Sequence, residues 1–191
     1  MTAPFVVGIG GSTRPDSTSD AMLRSALRIA AELGADTDHF HPGELDLPLY
    51  PVHTTERTED ARRWLDAAAR ADALIVATPG YHGTISASVK NMLDYLDDFK
   101  PTYLDGRAVG CIACSFGDQA APQALTALRS VVHALRAWPT PLGVTVSGYY
   151  PTAVDGAGAI SDPALLQRLQ LMCEQVVTFA RVWPRGRAIQ N

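Results

Sequence analysis

Ala73-Leu74-Ile75-Val76-Ala77-Thr78-Pro79-Gly80-Tyr81-His82-Gly83-Thr84, running on into Ile85-Ser86-Ala87-Ser88-Val89-Lys90-Asn91-Met92-Leu93-Asp94-Tyr95-Leu96, is the stretch from which the fold is read. Ala73 to Thr78 is apolar on consecutive positions, as a parallel strand covered on both faces must be. A Pro/Gly loop ends it. Val89, Met92, Leu93 and Leu96 then recur at helical spacing, which predicts an amphipathic helix from Ser86 to about Asp97. Strand, loop and helix make the repeating unit of an α/β sheet, and loops at the strand C-termini are where such sheets hold ligands.

Working outward, Phe5-Val6-Val7-Gly8-Ile9 is a second buried strand. The loop Gly10-Gly11-Ser12-Thr13-Arg14-Pro15-Asp16-Ser17-Thr18-Ser19 follows it. A helix carrying Met22, Leu23, Ala26, Leu27, Ala30 and Leu33 comes next and stops at Gly34. Ala35 to Phe40 reads as a weak strand and Leu45 to Pro51 as loop. Thr58-Glu59-Asp60 opens a helix that runs to about Arg70, with its acids in the first turn where the dipole favours them. Ala108 to Cys114 is the fourth strand, and Leu125, Leu128, Val132 and Leu135 mark the helix after it. Leu142 to Val146 is the fifth strand, and Asp162-Pro163 starts the last helix. The expected fold is α/β, a flavodoxin-like doubly wound five-stranded parallel sheet in the order 2-1-3-4-5, with residues 1–191 as a single domain. Right-handed crossovers bring the loops after strands one, three and four to one rim.

At 191 residues with a net charge of -4 and no basic run, the chain lacks the footprint of a nucleic-acid binder. No apolar stretch approaches the length of a membrane span, and the N-terminus lacks the basic lead of a signal peptide. Three cysteines are too few for a disulfide framework. A cytoplasmic protein without membrane or nucleic-acid partners is expected.

The first loop offers the hydroxyls of Ser12, Thr13, Ser17, Thr18 and Ser19, the Arg14 guanidinium and a helix N-terminus, all of which favour an anion. The same residues also serve as ordinary helix caps. It is not the dinucleotide fingerprint, because Thr13 stands at the third glycine position, and no Gly-Lys-Ser/Thr marks a P-loop. One phosphate cradle and one loop for a flat ring point to a mononucleotide cofactor. Cys111-x-x-Cys114 has redox spacing, yet residues three apart on a strand face opposite ways, so two buried thiols are expected. His39 and His41 could share a strand face, but no third metal ligand is evident, so they read as a solvated edge and no metal is expected. No Gly-x-Ser-x-Gly elbow occurs, which argues against a serine hydrolase. Tyr149-Tyr150-Pro151 reads as packing after strand five.

The chain resembles the NADPH-dependent FMN reductase and quinone reductase family of flavodoxin-like proteins. The resemblance lies in Gly11-Ser12-x-Arg14-x-x-Ser17, in Thr78-Pro79-x-Tyr81-x-x-Thr84-Ile85 and in Lys90-Asn91-x-Leu93-Asp94-Tyr95-Leu96, with Leu47-Pro48-Leu49-Tyr50 between them. It implies FMN phosphate held by Ser12, Arg14, Ser17 and Ser19, and the isoalloxazine by Pro79, Tyr81, His82, Gly83 and Thr84. Ser115, Phe116 and Gly117, with Asp118, would flank the ring. Gly80 and His82 stand where many members carry Glu and Asn, and Ser86 replaces a frequent Pro. The activity implied is hydride transfer from NADPH or NADH through bound FMN to a quinone, flavin or azo acceptor. Two alternatives stay open: an FMN-dependent dehydrogenase that oxidises a biosynthetic intermediate, for example by aromatising a cyclohexadiene, and a flavodoxin-like electron carrier. A homodimer or homotetramer is implied, with the Ser86–Asp97 helix near the interface.

Overall fold

The computed structural model describes residues 2–14, 17–147 and 160–183. In chain order the elements are β1 (Phe5–Gly10), α1 (Thr18–Glu32), β2 (Asp36–Phe40), α2 (Glu59–Arg70), β3 (Ala73–Pro79) and α3 (Ala87–Asp94). A 3-10 turn (Tyr95–Phe99) leads to β4 (Ala108–Ser115), α4 (Ala120–Ala134), β5 (Trp138–Pro139), β6 (Val144–Ser147) and α5 (Pro163–Val182). Side chains set the helix starts: Ser17, Thr58, Ser86 and Asp162 each accept a backbone N–H of the first turn. The helix expected from Ser86 to Asp97 tightens into the 3-10 turn after Asp94.

All strand pairs are parallel, and the order is β2-β1-β3-β4-β5, as expected. The fifth position differs from the sequence reading because two short strands share it. β5 pairs with Ala108 and Val109, and β6 with Ile112 to Ser115. The last ladder bond of β5 runs from the Thr140 N–H to the Val109 carbonyl at 3.0 Å. The Leu142 N–H turns to the Gln175 side chain at 3.1 Å instead, so the edge breaks and pairing resumes two residues later than Leu142.

Successive strand residues feed opposite layers. Val6 and Ile75 join Met22, Leu23, Leu169, Met172 and Val176 on the α1/α5 face. Val7, Leu74 and Val76 join Trp64, Met92, Leu93, Leu128 and Val132 on the other. Trp64 is fully buried and its Nε1 donates to the Met92 carbonyl at 3.0 Å. Cys111 faces the second layer and Cys114 the first, as the strand period requires. Burial pushes both thiols, and that of Cys173, up to about 12.

The Leu45–Pro51 segment is loop, and α3 staples it down. Asn91 accepts from the Tyr50 N–H at 2.9 Å and donates to the Pro48 carbonyl at 3.0 Å, and the Tyr95 hydroxyl donates to the same carbonyl at 2.9 Å. The Arg57 guanidinium lies over the Tyr50 and Tyr95 rings and grips Asp98 with two bonds of 2.7 and 2.8 Å. The packing expected of Tyr149-Tyr150-Pro151 lies outside the described residues.

Candidate functional site

The loops after β1, β3 and β4 meet on one sheet edge because β3 lies between the other two strands. The first loop leaves β1 by a turn that needs glycine. Gly10 has φ +123°, and a Cβ there would sit 1.9 Å from the Ala77 carbonyl oxygen. Ser12, Ser17 and Ser19 are buried around the start of α1. Ser17 Oγ accepts the Asp20 N–H at 3.2 Å and lies 3.3 Å from Ser19 Oγ, so it caps the helix and keeps its own proton to donate. The reading as a cap and the reading as an anion site therefore both hold geometrically. The Arg14 backbone N–H donates to Ser12 Oγ at 3.2 Å, while its side chain is exposed and makes no ion pair among the described residues.

Pro79 ends β3 opposite Cys114. Gly80 follows, donating its N–H to the Cys114 carbonyl at 2.7 Å. A side chain at Gly80 would meet the Ala120 carbonyl at 3.1 Å and the Ala124 methyl at 3.3 Å, which accounts for glycine at this position. Tyr81 and Thr84 then exchange both backbone hydrogen bonds at 3.0 Å across His82 and Gly83, whose φ values are +52° and +80°. That is a two-residue hairpin turn with both central residues left-handed, a geometry that asparagine, aspartate and histidine tolerate before glycine. His82 therefore satisfies a backbone demand, and its side chain is exposed. Thr78 braces the loop from below: its fully buried hydroxyl donates to the Pro79 carbonyl and accepts the Ser86 N–H, each at 3.0 Å.

Ser12 Oγ and the Tyr81 hydroxyl, 3.2 Å apart, join the two loops. In the third loop the Ser115 hydroxyl donates to the Gly117 carbonyl at 2.7 Å. Phe116, 66% exposed, and Tyr81, 50% exposed, present aromatic surface on this rim. Beside them a cleft of about 250 Å³ is lined by Asp118, Thr145, Ser147, Asp162 and Arg168. Serine hydroxyls, a guanidinium and a helix N-terminus on one side, with aromatic faces on the other, fit a group that has one phosphate and one flat ring. FMN is such a group.

His39 and His41 are not a solvated edge. Their Nε2 atoms lie 3.2 and 3.9 Å from Asp20 Oδ1, and the Asp20 side chain is 3% exposed. Asp20 also pairs with Arg24, one helical turn on. Burial raises the Asp20 carboxyl, and the His39 contact, Arg24 and His41 more than offset it, leaving the group below its usual range. The sequence signal was the i, i+2 histidine spacing at the end of β2; Asp20, in the first turn of α1, was missed. Among the described residues no cluster of three or more His, Cys, Asp or Glu could hold a metal.

The model of the NADPH-dependent FMN reductase family matches residues 4–151. An FMN-dependent NADPH-azoreductase of Staphylococcus aureus (strain USA300) is 32% identical over 120 residues, 62% of this chain and 62% of that protein. The matched stretch thus spans less than two thirds of the relative's length. The apo structure of the NADH:FMN oxidoreductase EMOB superposes with a TM-score of 0.75 at 22% identity, covering 97% of this chain and 92% of that one. FerB, a flavoenzyme NAD(P)H:acceptor oxidoreductase from Paracoccus denitrificans, gives 0.70 at 23% identity over 95% and 99%. At these identities the two structures speak for the fold, and the sequence match carries the assignment: the chain belongs to the NADPH-dependent FMN reductase family.

Proposed function

We propose that this chain is an FMN-dependent oxidoreductase that takes hydride from NADPH or NADH and passes it to a small acceptor such as a quinone, a free flavin or an azo compound. The observation that carries the reading is the 3.2 Å contact between Ser12 and Tyr81, which joins an anion-suited loop to an aromatic one on the ligand-binding edge of the sheet. Bound FMN supplies the acceptance and release of a hydride, chemistry that no amino-acid side chain offers.

The chain's own residues bind and orient. Ser12, Ser17, Ser19 and Arg14 would hold the phosphate through hydroxyl and guanidinium donors, and the positive end of α1 would add its partial charge. Pro79, Tyr81, Gly83 and Thr84 would hold the ring, with His82 setting the turn. Ser115, Phe116 and Gly117 would flank the ring. No side-chain acid or base is needed for hydride arrival. In this reading the chain is one domain, and its three unpaired thiols suit the cytoplasm. A homodimer fits too: Leu49, 84% exposed, and Val52, 72% exposed, stand on the loop stapled to α3. Leu49→Asp should then lower the mass measured by light scattering.

Titration with FMN and with riboflavin tests the binding assignment. Arg14→Ala should weaken FMN by about 1.5–3 kcal/mol, the scale of one hydrogen bond to a charged group. Riboflavin, which lacks the phosphate, should hardly respond. Equal losses for both flavins would place Arg14 elsewhere.

A further inference from the structure

The buried cluster at the start of α1 presses on the phosphate loop from below. Asp20 Cβ lies 3.0 Å from where a side chain on Gly11 would begin. The turn made by His41 and Gly43 lies against the loop as well, with the Thr13 carbonyl 3.1 Å from the Gly43 Cβ position. His41 Nδ1 accepts the Gly43 N–H at 3.1 Å, so in the neutral ring Nε2 carries the proton and faces Asp20. Asp20 Oδ1 and His39 Nε2 are both buried, and neither has a well-formed hydrogen bond. Buried polar atoms rarely stay so.

The charges around the two imidazoles are few. From α1 come Asp20 and its partner Arg24. Asp38, on β2 itself, accepts the His39 backbone N–H, and Arg14, in the loop, points to solvent. Among the described residues Asp20 is the one carboxylate in ion-pair range of either ring. With both rings neutral, Asp20 and Arg24 cancel, and each proton gained by a ring leaves one net positive charge behind the loop.

Resting on the assignment of the first loop to phosphate, we infer that His39 and His41 are positioning residues which, through Asp20, set how strongly the loop prefers a phosphate-bearing flavin. Charging them tightens the hold on FMN and leaves riboflavin untouched. A purely structural role would move both flavins together.

The test is the affinity of the intact protein for FMN and for riboflavin, by flavin fluorescence, from about pH 8 down to about 5.5. FMN itself gains a phosphate proton near about pH 6, a change in the free ligand common to every variant, so the quantity read is the difference between wild type and variant. Between these limits the FMN-over-riboflavin preference of wild type should grow by about threefold or more relative to His39→Gln/His41→Gln, the scale of one screened charge pair. Where the double variant fails to bind riboflavin, His39→Gln and His41→Gln are each read singly, with part of the same change expected. Coincident pH courses for wild type and variants would overturn the inference while leaving the flavin assignment standing. Wild type that takes up neither flavin would overturn both.

Discussion

Replacing His82 separates its two candidate roles, as a turn residue and as a ligand to the flavin. With φ at +52° and an exposed side chain, the residue contributes chiefly through the backbone conformation it accepts. Asparagine tolerates that conformation at least as well, so His82→Asn should hold stability within about 0.5 kcal/mol or raise it slightly. A β-branched residue is poorly tolerated there, and His82→Val should cost about 1–2 kcal/mol. In a chain of 191 residues that corresponds to roughly 2–8 °C in melting temperature. Thermal melts and urea titrations of the three proteins give the numbers, and FMN titration of the same samples shows whether binding follows stability. His82→Val melting with wild type would refute the turn argument. His82→Asn binding FMN far more weakly at unchanged stability would show that the imidazole itself holds the ligand.

The clamp on the Leu45–Pro51 loop carries an acid signature. Arg57 holds the Asp98 carboxyl below its ordinary value, against the opposing effect of burial, and Tyr50 assists. A carboxyl depressed on folding stabilises fully above its unfolded value, about 3.9, and that contribution is lost as pH falls through the folded value. Asp98→Asn should therefore cost about 1–2 kcal/mol at neutral pH, discounted because the carboxylate is 25% exposed. The gap to wild type should close in urea titrations carried below about pH 4; a gap that persists there would mean the charge contributes little. The three cysteines, with thiols at about 12, should resist iodoacetamide in the native protein and react on unfolding. Rapid native alkylation, read by mass spectrometry, would contradict their burial.

Parallel-sheet physics made the strand order legible, because strands buried on both faces are apolar without alternation and Phe5–Ile9, Ala73–Thr78 and Ala108–Cys114 stand out. The edge was harder. Trp138–Pro139 is too short to signal itself, and the Leu142 N–H leaves the ladder for the Gln175 side chain before pairing resumes at Val144. The position of the first loop was legible, since its serines double as the cap of α1, and the anion reading rests on the same hydroxyls and on Arg14. The role of His82 was not, because a positive φ leaves no mark in sequence beyond the glycine that follows it. Asp20 stayed hidden for a related reason: its histidine partners lie on β2 and just after it, and the sheet order rather than the sequence sets β2 beside β1. Gly80 and Ser86 have local explanations in the packing of α4 and the capping of α3.

The most direct test of the account is anaerobic stopped-flow mixing of the FMN-loaded protein with NADPH and, separately, with NADH. The account predicts a yellow protein whose flavin absorbance bleaches on mixing with at least one of the two and returns when a quinone or an azo dye is added. A protein that takes up no flavin from excess FMN, or one whose flavin colour survives both nicotinamides, would contradict it.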